Sequence, residues 1–258
     1  MKPYRAIAEY YDAENENLDM LQRDVPFLLG RLPRKSQSIL ELAVGTARAA
    51  IPLAQAGHRI VGVDYAPDML QIARRKRDGV GLTDRQLQLI NADITRLSLR
   101  RRFDWICILF NTFLNFTTLK QQDRLLQVVR RHLKPRTGRF WLDIFQPNLE
   151  LLAQPSSEHL APTVFYVASL DRTVFRETQV RRDPARQVQH VTHHYRWFDA
   201  HGIQHHQKVE FDLTFVFPRE LRILLERNGM KLRELYGDYD GSALGADSPR
   251  MIACASPM

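Results

Sequence analysis

Glu41-Leu42-Ala43-Val44-Gly45-Thr46-Ala47-Arg48 follows an apolar run at residues 38–42 and leads into a helical pattern over residues 47–56. A strand, a turn of small residues and a helix, in that order, form the opening unit of an α/β sheet. Ligands of such sheets bind beyond the carboxyl ends of the strands, where small residues let the backbone come close. Asp64 ends the next strand, residues 59–64, at the distance where an acid can bind ribose hydroxyls. These features fit an adenosine cofactor. A nicotinamide dinucleotide fits poorly, because its pattern wants glycine where Arg48 stands.

The same alternation runs outward from this stretch. Pro67 opens a second helix carrying Met69, Leu70, Ile72 and Ala73. Residues 88–90 and 104–110 read as the third and fourth strands, and residues 139–145 as the fifth. Thr118 and Gln121 form a capping box for the helix between the last two. After residue 148 the rhythm changes to β-rich segments at 164–170, 173–181, 188–197 and 204–217. Pro218 then opens another helix, Gly229 stops it, and strands follow at 231–236 and 251–255. The expected fold is a doubly wound, mostly parallel seven-stranded α/β sheet with an antiparallel β insertion between the fifth strand and the following helix. Residues 1–37 are read as an N-terminal helical cover, 38–148 and 218–258 as the core, and 149–217 as the insertion.

Two cysteines among 258 residues exclude a disulfide framework and a four-thiolate zinc site. The amino terminus lacks an apolar signal core, and apolar runs such as 105–110 are too short to span a bilayer. A cytoplasmic protein with no membrane partner is expected. The formal charge of +8 requires a nucleic-acid partner to be weighed. The basic clusters at residues 74–77 and 100–102 are read as solvated surface.

Glu41 to Arg48 resembles the first motif of the class I S-adenosylmethionine-dependent methyltransferases, whose core is Rossmann-like. Residues 61–70 resemble that family's second strand and helix, and Asn91-Ala92-Asp93-Ile94 its third-strand motif. Phe103-Asp104-Trp105-Ile106 through Phe110-Asn111 resembles the fourth, and Leu133-Lys134-Pro135 the lead into the fifth. Tyr10-Tyr11-Asp12 and the tail residues 217–221, 226–230 and 236–240 are similar to the small-molecule glycine, sarcosine and amino-sugar N-methyltransferases. The resemblance implies S-adenosylmethionine as cofactor. It implies cofactor contacts from Tyr11, Glu41, Ala43, Gly45, Arg48, Asp64, Tyr65, Met69, Asp93, Ile94 and Phe110. Asp64 would grip the ribose, Tyr65 and Met69 would flank the adenine, and Asp93 would accept from its amino group. Arg48 would pair with the cofactor carboxylate, and Tyr11 would lie near the methyl group. Tyr11, Asn111 and Asp143 are the catalytic candidates, with Asp143 as substrate ligand or base and Asn115 a weaker contact.

The sequence departs from the family where Ala43 and Ala47 replace glycines and Ala66 replaces the serine cap of the second helix. The expected reaction is methyl transfer to an amine or hydroxyl of a small molecule by in-line displacement. Orientation and exclusion of water are then the protein's main task. A nucleic-acid methyltransferase is the less favoured alternative, because residues 110–113 lack the Asn/Asp-Pro-Pro-aromatic pattern. A cofactor-binding protein without methyl transfer is the other. His190, His193, His194, His205 and His206 carry no completing ligands, so no metal site is expected. The insertion is expected to cover the site or to form a homodimer surface.

Overall fold

The computed structural model describes residues 7–153 and 157–258. Seven strands form the main sheet: β1 (Ser38–Leu42), β2 (Arg59–Asp64), β3 (Leu87–Asn91), β4 (Trp105–Ile108), β5 (Arg139–Phe145), β10 (Met230–Tyr236) and β11 (Arg250–Pro257). Their spatial order is β10-β11-β5-β4-β1-β2-β3. β1, β2, β3, β4 and β5 pair in parallel, and β11 runs antiparallel between β5 and β10. The order reverses where β1 meets β4, which opens a crevice at the carboxyl ends of the strands.

Both faces of the sheet are covered, which is why β1 and β4 are nearly continuous apolar runs. On one face, Leu40, Leu42 and Ile106 pack against α5 (Leu119–His132) and α7 (Pro218–Arg227) through Leu125, Val129, Leu221 and Leu225. On the other face, Ile39 and Ile60 pack against α2 (Asp19–Arg31), α3 (Ala50–Gln55) and α4 (Pro67–Gly79) through Leu28, Leu53 and Leu70. The capping box of α5 forms: Thr118 Oγ1 accepts the Gln121 N–H, and Gln121 Oε1 accepts the Thr118 N–H.

Between β5 and α7 in the chain, after α6 (Leu149–Ala153), lies a separate four-stranded antiparallel sheet. It runs β6 (Ser157–Val167), β7 (Arg172–Asp183), β8 (Val188–Phe198) and β9 (Gln204–Thr214). The N-terminal helix α1 (Ala8–Asn15) joins the two sheets. Ile7 and Tyr10 pack on Phe165, Val174, Tyr195 and Val209 of the second sheet. Ala8 and Tyr11 pack toward Ala66, Met69 and Tyr65 of the first. Residues 1–6 of the expected cover and 154–156 of the expected insertion lie outside the described residues.

Two expectations shift at the strand ends. The helix expected from residue 47 starts at Ala50, because Ala47 has φ 63° and cannot continue a right-handed helix. Strand β4 stops at Ile108, because Phe110 (φ 48°) and Asn111 (φ 62°) turn the chain. Ala43 is also left-handed, at φ 61°. The family's usual glycines therefore stood where L-residues are strained by roughly 1–2 kcal/mol. Substituting Ala43→Gly should raise thermal stability by about 1 kcal/mol. Ala47→Gly should gain less, because it also removes a methyl group with 0% exposure, a loss of about 0.8 kcal/mol. Denaturant titration of the two variants checks both values.

Candidate active site

A cavity of about 530 Å³ lies at the carboxyl ends of the parallel strands. Its walls come from three parts of the chain. The main sheet contributes Ala43, Gly45, Asp64, Tyr65, Met69, Asp93, Ile94, Phe110 and Asn111. Helix α1 contributes Tyr11, Glu14 and Asn15, and the four-stranded sheet contributes Arg176, His193, Phe211 and Leu213. Asn115, on the 3-10 turn Thr112–Asn115, joins them.

Asp64 organises the cofactor-facing half. Its Oδ2 accepts the Gly45 N–H at 2.9 Å and its Oδ1 accepts the Ala66 N–H at 2.8 Å. The second contact fixes Ala66 at the start of α4, where no side chain caps the helix, and Pro67 at the next position has no N–H needing a partner. Burial pushes the Asp64 carboxyl above its ordinary range, against the pull of the Ala66, Gly45 and Tyr65 backbone donors. Three backbone donors leave acceptor capacity on the carboxylate for a ligand hydroxyl. Asp93 Oδ1 is held by the Thr95 N–H (2.8 Å) and hydroxyl (2.7 Å) at the cavity's edge. Tyr11 meets the Phe110 ring edge-on, with centroids 6.5 Å apart. Asn111 ties the strand ends together: its Oδ1 accepts the Phe145 N–H at 2.8 Å, and its own N–H donates to the Asp143 carbonyl at 3.1 Å.

Three of the expected site residues stand elsewhere. Arg48 is not on the cavity; its guanidinium forks onto Asp24 and also donates to the Leu21 carbonyl at 3.0 Å. That commits its charge to α2 rather than to a cofactor carboxylate. Asp143 points away from the cavity, with 1% exposure. Its Oδ1 accepts Arg250 Nε (3.0 Å) and Nη2 (2.6 Å), and its Oδ2 accepts the Tyr239 hydroxyl at 2.8 Å. Both of its oxygens are engaged by these partners, and it does not line the cavity. Glu41 also lies beneath the cavity rather than on it. Its Oε2 is buried with no hydrogen-bond partner, and burial pushes its carboxyl up to about 8.

The sequence reading did not single out the residues that line the cavity from α1 and the four-stranded sheet beyond Tyr11. Glu14 bonds Arg176 and accepts the Tyr195 hydroxyl at 3.0 and 3.2 Å. His193 faces the cavity while Thr178 Oγ1 sits 2.8 Å from its Nδ1. The usable signal was strand alternation: His193 shares a face with the buried Val191 and Tyr195, opposite His190 and His194. The other histidines pair locally, His190 with Asp212 (2.5 Å), His194 with His206 (3.0 Å) and His205 with Asp199 (2.8 Å).

Residues 39–136 match the family described as "Methyltransferase domain". The chain is 26% identical over 244 residues to the cypemycin N-terminal methyltransferase of a Streptomyces species, covering 95% of this chain and 93% of that one. In fold it is similar to an S-adenosylmethionine-dependent methyltransferase from Clostridium acetobutylicum, with a TM-score of 0.80, 17% identity and 98% of each chain covered. It is also similar to the S-adenosylmethionine-bound amino pentose methyltransferase CalS10 from Micromonospora echinaspora. There the TM-score is 0.72, with 17% identity and 96% of each chain covered. A doubly wound sheet with an acid-lined cavity at its switch point is of the Rossmann-like class. Residues 39–136 carry a methyltransferase domain, and the chain is similar along nearly its whole length to a methyltransferase, with S-adenosylmethionine as the cofactor these relatives support.

Three outcomes are expected. Asp64→Ala should weaken S-adenosylmethionine binding at least about tenfold in calorimetry, and should lower stability by about 1–3 kcal/mol because two backbone donors lose their acceptor. Asp143→Ala should act on folding, costing about 3–5 kcal/mol by leaving Arg250 buried and unpaired. Glu41 holds a proton in the fold that the unfolded chain releases above its ordinary value of 4.5. Its contribution is complete below that pH and is lost as pH rises toward 8. His193, depressed to about 4, acts in the opposite direction, but only below its ordinary 6.5. Unfolding midpoints should therefore fall between about pH 6.5 and pH 8, and Glu41→Gln should flatten that slope.

Proposed function

We propose that this methyltransferase acts on an amino group of a small molecule or short peptide. The observation that carries this reading is the chemistry of the acceptor wall: it offers orientation without a strong general base. Glu14 is engaged by Arg176 and Tyr195, and Asp143 lies outside the cavity. His193 is pushed down to about 4 by burial, by Arg176 and by His194, so it is a weak base at neutral pH. A hydroxyl acceptor would need a base to make it nucleophilic; a neutral amine already carries its lone pair. The named activities of the N-terminal methyltransferase and the amino pentose methyltransferase support the same choice.

When bound, S-adenosylmethionine supplies an electrophilic methyl group on a sulfonium. Asp64 would hold the ribose, Asp93, Tyr65, Met69 and Ile94 the adenine side, and the Ala43–Gly45 turn the methionine portion. Tyr11 and Phe110 would close over the methyl region, with Asn111 and Asn115 beside the acceptor. Helix α1 and the four-stranded sheet together shut out water, which strengthens the remaining electrostatic contacts. We assign α1 and α2 as the cover and β6 to β9 as the acceptor wall of a cytoplasmic enzyme. The outer face of that wall, where Val164 and Phe175 are exposed cross-strand neighbours, supports pairing of two copies.

Labelled S-adenosylmethionine offered with amino sugars, short peptides and their hydroxyl analogues tests the reading. Methyl transfer to amines is expected, with a rate that rises with pH as the acceptor ammonium loses its proton. Transfer confined to hydroxyls, or to RNA in a salt-sensitive manner, would overturn it, as would cofactor binding with no transfer at all.

A further inference from the structure

We infer that His193 is the group that receives the acceptor amine, through a hydrogen bond from an amine N–H to its Nε2, with Thr178 holding the opposite ring nitrogen. The inference rests on the amine reading above and names its contact.

His193 belongs to β8, whose alternate residues Val191 and Tyr195 are buried. Alternation therefore turns the imidazole inward, and it lines the cavity together with Phe211 and Arg176. The ring is fixed on two sides. The Tyr195 ring lies 5.8 Å away, edge-on, and the Phe211 ring 5.2 Å away. Nδ1 lies 2.8 Å from Thr178 Oγ1, so the Nε2 edge is the one left for a ligand. A neutral imidazole has one N–H and one lone pair. When Nδ1–H donates to the Thr178 oxygen, Nε2 presents its lone pair to the cavity.

Charges around the ring keep it in that neutral form. Burial opposes a positive imidazole first, and Arg176 and His194 do the same. Glu14, across the cavity, is bonded by Arg176 and Tyr195. A ring that stays neutral does not repel an incoming amine, and by accepting one N–H it orients the nitrogen. The amine lone pair is then left to face the methyl carbon. In the transfer, the N–C bond forms, the C–S bond breaks, and its electron pair stays on sulfur as a thioether. The nitrogen becomes a methylated ammonium, which releases its proton to solvent.

The test compares wild type with His193→Phe, His193→Gln and Thr178→Val, using the best acceptor among glucosamine, trialanine and glycine amide. S-adenosylmethionine affinity is measured by calorimetry and kcat and KM by methyl transfer. His193→Phe keeps a ring in place but should lower kcat/KM at least about tenfold, with cofactor affinity within twofold of wild type. His193→Gln, whose amide oxygen can take the place of Nε2, should recover most of the loss. Thr178→Val should fall between them. An unchanged kcat/KM in a His193→Phe protein that still binds the cofactor would overturn the assignment while leaving the amine reading intact. An equal loss in the Gln and Phe variants would do so too, since a packing role predicts no rescue. Wild-type transfer to hydroxyls but to none of the amines would remove the reading on which this contact rests.

Discussion

The carboxylate of Asp64 is the interaction on which the site depends. It ends β2, yet it holds the turn after β1 through Gly45 and the first turn of α4 through Ala66. Two strand-to-helix connections thus converge on a single side chain. The left-handed Ala43, Gly45 and Ala47 bend the first of them into the path that allows this. The strain of two L-residues in that turn persists because burial and the Asp64 contacts leave no alternative path. A residue on the cavity wall is therefore also a structural brace, and binding and folding cannot be separated cleanly there.

The second organising element is α1. It is not a strongly amphipathic helix with one apolar stripe; it has apolar contacts on two sides and acids between them. Glu9 meets Arg75 (3.2 Å) and Asp12 meets Lys76 (2.9 Å), both cations from α4. Asp12 also accepts the Thr46 hydroxyl at 2.6 Å. Glu14 reaches Arg176 on the other sheet. One short helix thereby fastens the cofactor half to the acceptor half. Exposed pairs such as Glu9–Arg75 contribute little each, so the apolar contacts of Ile7, Ala8 and Tyr10 carry most of the attachment.

The parallel core and the part of the cavity wall built at its strand ends were legible in the sequence because both are local properties. Strand, turn and helix follow within a few positions, and Gly45, Asp64, Tyr65, Met69, Asp93 and Phe110 sit where their motifs put them. What escaped depended on partners far along the chain. Arg48 looked available until α2 brought Asp24 to it. Asp143 looked poised at a strand end, but it opposes Ile252 in β11 and is claimed by Arg250 and Tyr239. No motif announces Glu14, Arg176 or His193, since α1 and the four-stranded sheet are separated by more than a hundred positions and meet only in the fold. Strand alternation could have separated His193 from His190 and His194, but only with the neighbouring Val191 and Tyr195 taken as the guide to its face.

The pairing of Asp143 with Arg250 has a consequence for how the chain reaches its fold during synthesis. The acid enters the sheet with β5, and its counter-ion arrives 107 positions later. Its other partner, Tyr239, is likewise distant along the chain. The surroundings of this buried acid are therefore completed by residues made after every cofactor-facing strand end, and the pairing is one of the distant contacts that slow the assembly of such folds.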